Sequence, residues 1–193
     1  MAKVTAPLFS LSASGQLAKS LVYMNWKGIN DVRQYVIPAN PKTEAQQGQR
    51  GHLTAAVSAW HTDGYTALDV AAWNLYALAK KVAASGFNMF ASLKIRAAVA
   101  IHTWTKLVNV VISAITASGC TVVVTVASDQ TGILYLGTSK TSMLTTFAGA
   151  FLTDKYTFTV TGCLASTKYY FYIKNTAANE DARTGIYSFT TTT

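Results

Sequence analysis

Leu164-Ala165-Ser166-Thr167-Lys168-Tyr169-Tyr170-Phe171-Tyr172-Ile173 is the stretch from which the class of this chain follows. A polar turn passes into an aromatic run of period two. Alternation sends Tyr169, Phe171 and Ile173 to one side, as in a strand with one buried face. The same period recurs on both sides of it. Val108–Ser113, Cys120–Val126, Gly132–Gly137, Tyr156–Val160 and Ile186–Thr191 read as further strands, with turn residues between them. Short strands at that spacing predict a two-sheet sandwich over residues 107–193, with Leu164, Tyr169 and Phe171 among its structural residues.

A different organisation holds over residues 1–106. Leu17–Trp26 and Val32–Ile37 are β-rich and flank Lys27-Gly28-Ile29-Asn30-Asp31, which predicts a hairpin. A two-stranded hairpin is marginal in water, so residues 1–38 are expected to lie on the rest of the chain or to reach a neighbouring subunit as an arm. Ser12-Ala13-Ser14-Gly15 is turn-like, and Asn40-Pro41 stops the second strand. Thr43-Glu44-Ala45-Gln46 has the form of a capping box and opens a helix over about 43–62, with Leu53, Val57 and Trp60 on one face. Gly48 and Gly51 inside it cost about 1 kcal/mol each relative to Ala. Thr66 with Asp69 forms a second capping box for a helix over about 66–85. Its stripe is Leu68, Ala72, Leu75, Ala79 and Val82, and Ser85-Gly86 ends it. The two helices are expected to pair through Trp60 and Trp73. Residues 87–106 fit a helix or a strand equally. The predicted class is therefore α+β in two parts, split at 106/107.

Composition bears on partners. Only 12% of the 193 residues are charged and half are hydrophobic, against about 25% charged in an ordinary soluble domain. Such a surface is expected to be covered in an oligomer or a larger assembly. The net charge is +8 and uneven: eleven Lys/Arg against four Asp/Glu in residues 1–118, five against four in 119–193. An acidic partner is expected for the N-terminal part, either a protein lattice or nucleic acid. The start has no long apolar segment of the signal-peptide kind, and no run of 18 apolar residues occurs, so no membrane partner is expected. Cys120 and Cys163 allow at most one internal bridge, and in a reducing compartment they read as small buried thiols.

Two resemblances add to these readings. Ile133–Thr138, Leu164–Ile173 and Ser188–Thr191 resemble the corresponding strands and tyrosine corner of fibronectin type III and related immunoglobulin-like domains. The resemblance implies that Tyr169 is the corner tyrosine, with Tyr170 the alternative, although no proline stands in the corner. Trp26-Lys27-Gly28, Val32-Arg33-Gln34-Tyr35, the Asn40-Pro41-Lys42-Thr43-Glu44-Ala45-Gln46-Gln47-Gly48-Gln49-Arg50 run and Phe87-Asn88-Met89-Phe90 resemble small structural proteins of tailed phages and prophages. Gly51 and His52 depart from that pattern. This resemblance implies a virion component assembled in a host cytoplasm.

No constellation points to catalysis or to a cofactor. His52 and His61 are nine residues apart on one predicted helix, and no His-x-x-x-His, Cys-x-x-Cys, phosphate loop or Gly-x-Ser-x-Gly elbow occurs. Asp63 and Asp69 read as turn and cap; Glu180-Asp181 sit in a polar turn. The expected role is a non-enzymatic capsid decoration protein, with no cofactor and no metal. Tyr23, Trp26, Lys27, Arg33, Tyr35 and Arg50 would anchor it to a major capsid protein, to other virion proteins or to a second copy. The alternatives are a tail or connector protein, a nucleic-acid binder using the basic residues and aromatics of the arm, and a carbohydrate or receptor binder using loops 128–131 and 179–181.

Overall fold

The computed structural model of the protein describes residues 2–3, 13–37, 39–40 and 42–193. The expected arm, the turn at Ser12 and the Asn40-Pro41 stop fall partly outside the described residues, at positions 1, 4–12, 38 and 41. Contacts divide the chain into Met1–Thr43 and Glu44–Thr193. The division expected at 106/107 is thus not the one seen, because the helices share a unit with the sandwich.

The first unit is one antiparallel sheet of β1 (Ala2–Lys3), β2 (Gly15–Leu17), β3 (Leu21–Trp26) and β4 (Ile29–Gln34), in the order β1-β4-β3-β2. The expected hairpin is present as β3–β4, with a shorter turn. Lys27 and Gly28 both have positive φ, 52° and 79°, as a two-residue type I′ turn requires. Ile29, Asn30 and Asp31, expected in the turn, therefore belong to β4, and Ile29 pairs with Trp26.

The second unit begins with α1 (Glu44–Thr62), α2 (Ala67–Ala79) and α3 (Gly86–Val99). The Thr66/Asp69 capping box forms, and α2 then ends at Lys80, earlier than expected. Lys81 turns left-handed (φ 54°). Ser85, expected to close α2, instead caps α3, its hydroxyl accepting the Asn88 N–H at 3.3 Å. Gly86 has a packing reason, since a Cβ there would lie 2.6 Å from the Asn74 nitrogen. The ambiguous segment is thus helical over most of its length, and α3 is the element against which both other helices pack.

Phe90 on α3, fully buried, is the hub. Its ring lies 5.2 Å from Trp60, 5.5 Å from Trp73 and 5.8 Å from Trp104. The direct pairing of α1 with α2 expected through Trp60 and Trp73 is not seen: each ring instead packs on Phe90, because α3 lies against both helices. The predicted stripes are displaced. In α2, Ala72, Trp73, Tyr76 and Ala77 are buried while Leu68 is exposed, and Val82 lies exposed beyond its end; in α1, Ala56 and Ala59 are buried and Leu53 is exposed. The physical reason in α2 is that it contacts α3 and also strands of the sandwich, so its buried arc is wider than one stripe.

The remaining strands form two antiparallel sheets. One contains β5 (Leu107–Ser113), β6 (Cys120–Val126), β10 (Lys155–Val160) and β9 (Ala150–Leu152), in the order β5-β6-β10-β9. The other contains β12 (Tyr187–Thr190), β11 (Lys168–Asn175), β7 (Gly132–Gly137) and β8 (Thr145–Ala148), in the order β12-β11-β7-β8. Strict alternation buries Val122, Val124, Leu134, Tyr156, Phe158, Phe171 and Ile173 between the sheets, which is the inward/outward pattern of a β-sandwich. The strands read from period two are all present. The short edge strands β8 and β9 are additions, mostly exposed and without an alternating signal.

The tyrosine corner forms at Tyr169. Its hydroxyl accepts the Leu164 N–H at 2.9 Å, and its ring is buried. Leu164, expected as a core side chain, is 69% exposed. The buried residue is its neighbour Cys163, six before Tyr169.

Candidate functional site

The N-terminal sheet is where the expected anchor residues lie. Directly paired residues share a face, so Val22, Trp26, Ile29, Asp31 and Arg33 stand on one side and Leu21, Tyr23 and Val32 on the other. Tyr35 continues the Arg33 side and borders a shallow concavity with Gln16, Val22 and Arg33. Its N–H donates to the Ser20 carbonyl at 2.8 Å. Trp26, Arg33 and Tyr35 therefore share a side, and Lys27 is in the adjoining turn. Tyr23 is on the opposite face, and Arg50 is an exposed residue of α1 in the other unit. Among the described residues of this unit, Asp31 alone is buried. Trp26 is 54% exposed, Ile37 75%, and Leu17, Ile29 and Val36 are also exposed. Five Lys/Arg against one Asp occupy residues 1–43. The unit is basic and leaves several large apolar side chains exposed.

The second unit is held by two buried carboxylates read from sequence as turn or cap residues. Asp69 is fully buried. Its Oδ2 accepts the Thr66 N–H (2.8 Å), the Thr66 hydroxyl (2.9 Å) and the Asn109 N–H (2.8 Å). Its Oδ1 accepts the Val110 N–H (3.2 Å) and the Tyr187 hydroxyl (2.7 Å). The Asn109 and Val110 amides are available because β5 bulges there, with Asn109 at φ 54°. A bulge leaves ladder amides unpaired, and the carboxylate takes them. Asp69 thus ties α2 to an edge strand of each sheet. Burial, with Asp69 beside it, pushes the Tyr187 phenol well above its ordinary range. The Ile186 N–H also donates to the Ala72 carbonyl of α2 at 2.9 Å, so the helix covers strand edges that would otherwise invite pairing.

Glu180 performs the same task at the approach to β5. Its carboxylate accepts the Thr105 and Ala182 N–H groups (2.9 and 3.0 Å) and the Thr103 and Thr105 hydroxyls (2.7 and 2.9 Å). Its neighbour Asp181 meets His102 Nδ1 at 2.7 Å. Neither carboxylate of this pair is a free loop ligand.

A cleft of about 290 Å³ opens beside α2 and the connection between β7 and β8. Arg183 forms one wall, its guanidinium 4.5 Å from the Tyr76 ring and 4.3 Å from the Tyr172 ring. Tyr172 is also stacked on Tyr135 at 4.8 Å. Burial lowers the Arg183 pKa, opposed by the two tyrosines. Nothing in the sequence marks this grouping, because Tyr76, Tyr172 and Arg183 come from α2, β11 and the connection to β12. Among the described residues no three His, Cys, Asp or Glu side chains gather to hold a metal ion, and no helix is long and apolar enough to cross a membrane.

No family model matches the chain, and no curated protein matches it. Among solved structures, a computationally redesigned β-sandwich protein is similar at 20% identity, over 47% of this chain and 92% of that one, with a TM-score of 0.35. The sensor domain of the anti-sigma factor RsgI4 of Pseudobacteroides cellulosolvens is 14% identical over 47% and 96%, TM-score 0.34. The N-terminal part of the bacterial S-layer protein SbsC is 17% identical over 75% and 38%, TM-score 0.26. At these TM-scores the likenesses carry no functional argument, and the sandwich stands on its own strand order.

Proposed function

We propose that the chain is a non-enzymatic structural subunit of a phage particle that decorates the capsid, anchored by its N-terminal sheet and displaying the helix–sandwich unit. The observation that carries this reading is the sheet itself. It is basic, buries a single side chain among those described, and leaves Trp26, Ile29, Val36 and Ile37 outside. A small sheet with so little interior gains stability by covering its apolar face on a partner. Aromatic and Arg side chains on one side are the types that dominate interface energies, and the five cations of residues 1–43 suit an acidic lattice. The Asn40–Arg50 run and its neighbours, which resemble phage structural proteins, support the particle assignment. The sandwich order and the Tyr169 corner support an immunoglobulin-like module of fibronectin type III kind.

Deleting residues 1–43 removes the sheet and spares the cores of Glu44–Thr193. The shortened chain is expected to fold and to be missing from particles purified from the encoding phage, as read by mass spectrometry and cryo-electron microscopy. Normal incorporation of that chain would refute the anchor. Absence of the full-length chain from the particle would refute the virion reading.

A further inference from the structure

We propose that the cleft between the end of α2 and the β7–β8 connection binds a carboxylated saccharide, with Arg183, Lys80 and Lys140 receiving the carboxylate. The inference rests on the helix–sandwich unit alone and stands or falls independently of the anchoring role of the N-terminal sheet.

Three cations line the cleft and no carboxylate does. Lys80 and Lys81 also offset the negative pole of α2, which ends here. Arg183 is the informative member. It is half-buried, yet no Asp or Glu among the described residues lies within ion-pair distance of it. Its Nε–H donates to the Thr184 carbonyl at 3.3 Å. The terminal NH2 groups have no protein acceptor among the described residues. A guanidinium taken out of water without a counter-charge is costly, and an arriving carboxylate matches its fork bidentately. The ring sandwich of Tyr76 and Tyr172 fixes the plane of the guanidinium before any ligand arrives, so little ordering remains to be done on binding.

The rest of the lining selects the body of the ligand. Thr141 and Ser142 offer hydroxyls, and Met143 and Ile186 offer apolar surface. That mixture suits a sugar ring, with hydroxyls on its rim and C–H groups on its faces. The volume is of the order of one sugar residue, at the low end of small-molecule sites. Single-stranded nucleic acid fits less well. It needs open aromatic faces for base stacking, whereas Tyr76 faces Arg183, and Tyr172 packs against both Arg183 and Tyr135.

The test is titration of the full-length protein with D-glucuronate, followed by NMR, with glucose and inorganic phosphate as controls. Saturable, salt-sensitive shifts centred on Arg183 and Thr141 are expected with glucuronate at millimolar concentrations, and none with glucose. Lys140→Ala, an exposed change on the connection, should weaken glucuronate about tenfold, the loss of one charge-assisted contact, without moving Tm. No shift with glucuronate overturns the site. Phosphate binding as tightly as glucuronate overturns the saccharide assignment, and so does an unchanged affinity in Lys140→Ala.

Discussion

Asp69→Asn exchanges one oxygen for an NH2 group and changes almost nothing in volume. The structure nevertheless makes it a severe substitution. Five donors converge on the buried carboxylate. Whichever way the new amide turns, its NH2 faces donors. Turned toward Thr66 and Asn109, it deprives two backbone N–H groups of their acceptor. Turned toward Val110 and Tyr187, it can donate to the rotatable phenol, but the Val110 N–H is left unpaired. At least one buried donor is orphaned, at about 1–3 kcal/mol. The surviving bonds lose their charge assistance, which roughly halves them, while the amide is less costly to bury than the carboxylate. We expect a net loss of about 3 kcal/mol, against about 1 kcal/mol for a residue that merely caps a helix. For a chain of this size that is a fall in Tm of about 6–12 °C. Guanidinium unfolding followed by tryptophan fluorescence reads it, with Thr66→Ala, which removes the cap and only one of the five donors, as the control. A loss in Asp69→Asn no larger than that of Thr66→Ala would refute the argument that this carboxylate joins α2 to both sheets.

Tyr169→Phe should cost about 1 kcal/mol, the value of the hydroxyl's bond to the Leu164 amide; an unchanged unfolding midpoint would show that the corner bond contributes nothing. Gly185→Ala should cost about 1–3 kcal/mol or more by overpacking, because a Cβ there runs into the Ala72–Trp73 backbone; full stability in that variant would mean that α2 is not seated on the segment entering β12. Stability should fall at alkaline pH. Burial raises the Cys120 thiol from 9.0 to about 11 and pushes the Tyr65 and Tyr187 phenols above their usual 10.0. Groups whose folded pKa is raised stabilise fully below their unfolded pKa, and that stability is lost as pH rises through the folded value. Tm should therefore be level below pH 9, decline from about pH 9 to 11 as Cys120 contributes less, and decline further above pH 10 as the tyrosines follow; a flat profile from pH 8 to 11 would contradict this.

Local signals in the sequence were enough for the strands whose burial strictly alternates. Cys120–Val126 and Tyr169–Ile173 alternate because each strand has one face in the core, and period two reports that directly. Thr66 and Asp69 are three residues apart, so their capping box is a property of one helical turn. The Trp26–Ile29 hairpin is similarly local, though its turn needed the left-handed geometry of Lys27 and Gly28 to be placed. The tertiary structure decided whatever depends on residues distant in the chain. Asp69 is a cap by sequence and a clamp only because Asn109, Val110 and Tyr187 lie 40, 41 and 118 residues away. The stripe on α2 shifted because that helix is buried on more than one side, and periodicity describes a single face. Leu164 is outside and the buried residue of the corner is Cys163, because burial there is set by the distance back from the tyrosine, whereas hydrophobicity alone favours the leucine. Arg183 between Tyr76 and Tyr172 has no local signature, since three separate segments meet there only when α2 seats against the sandwich.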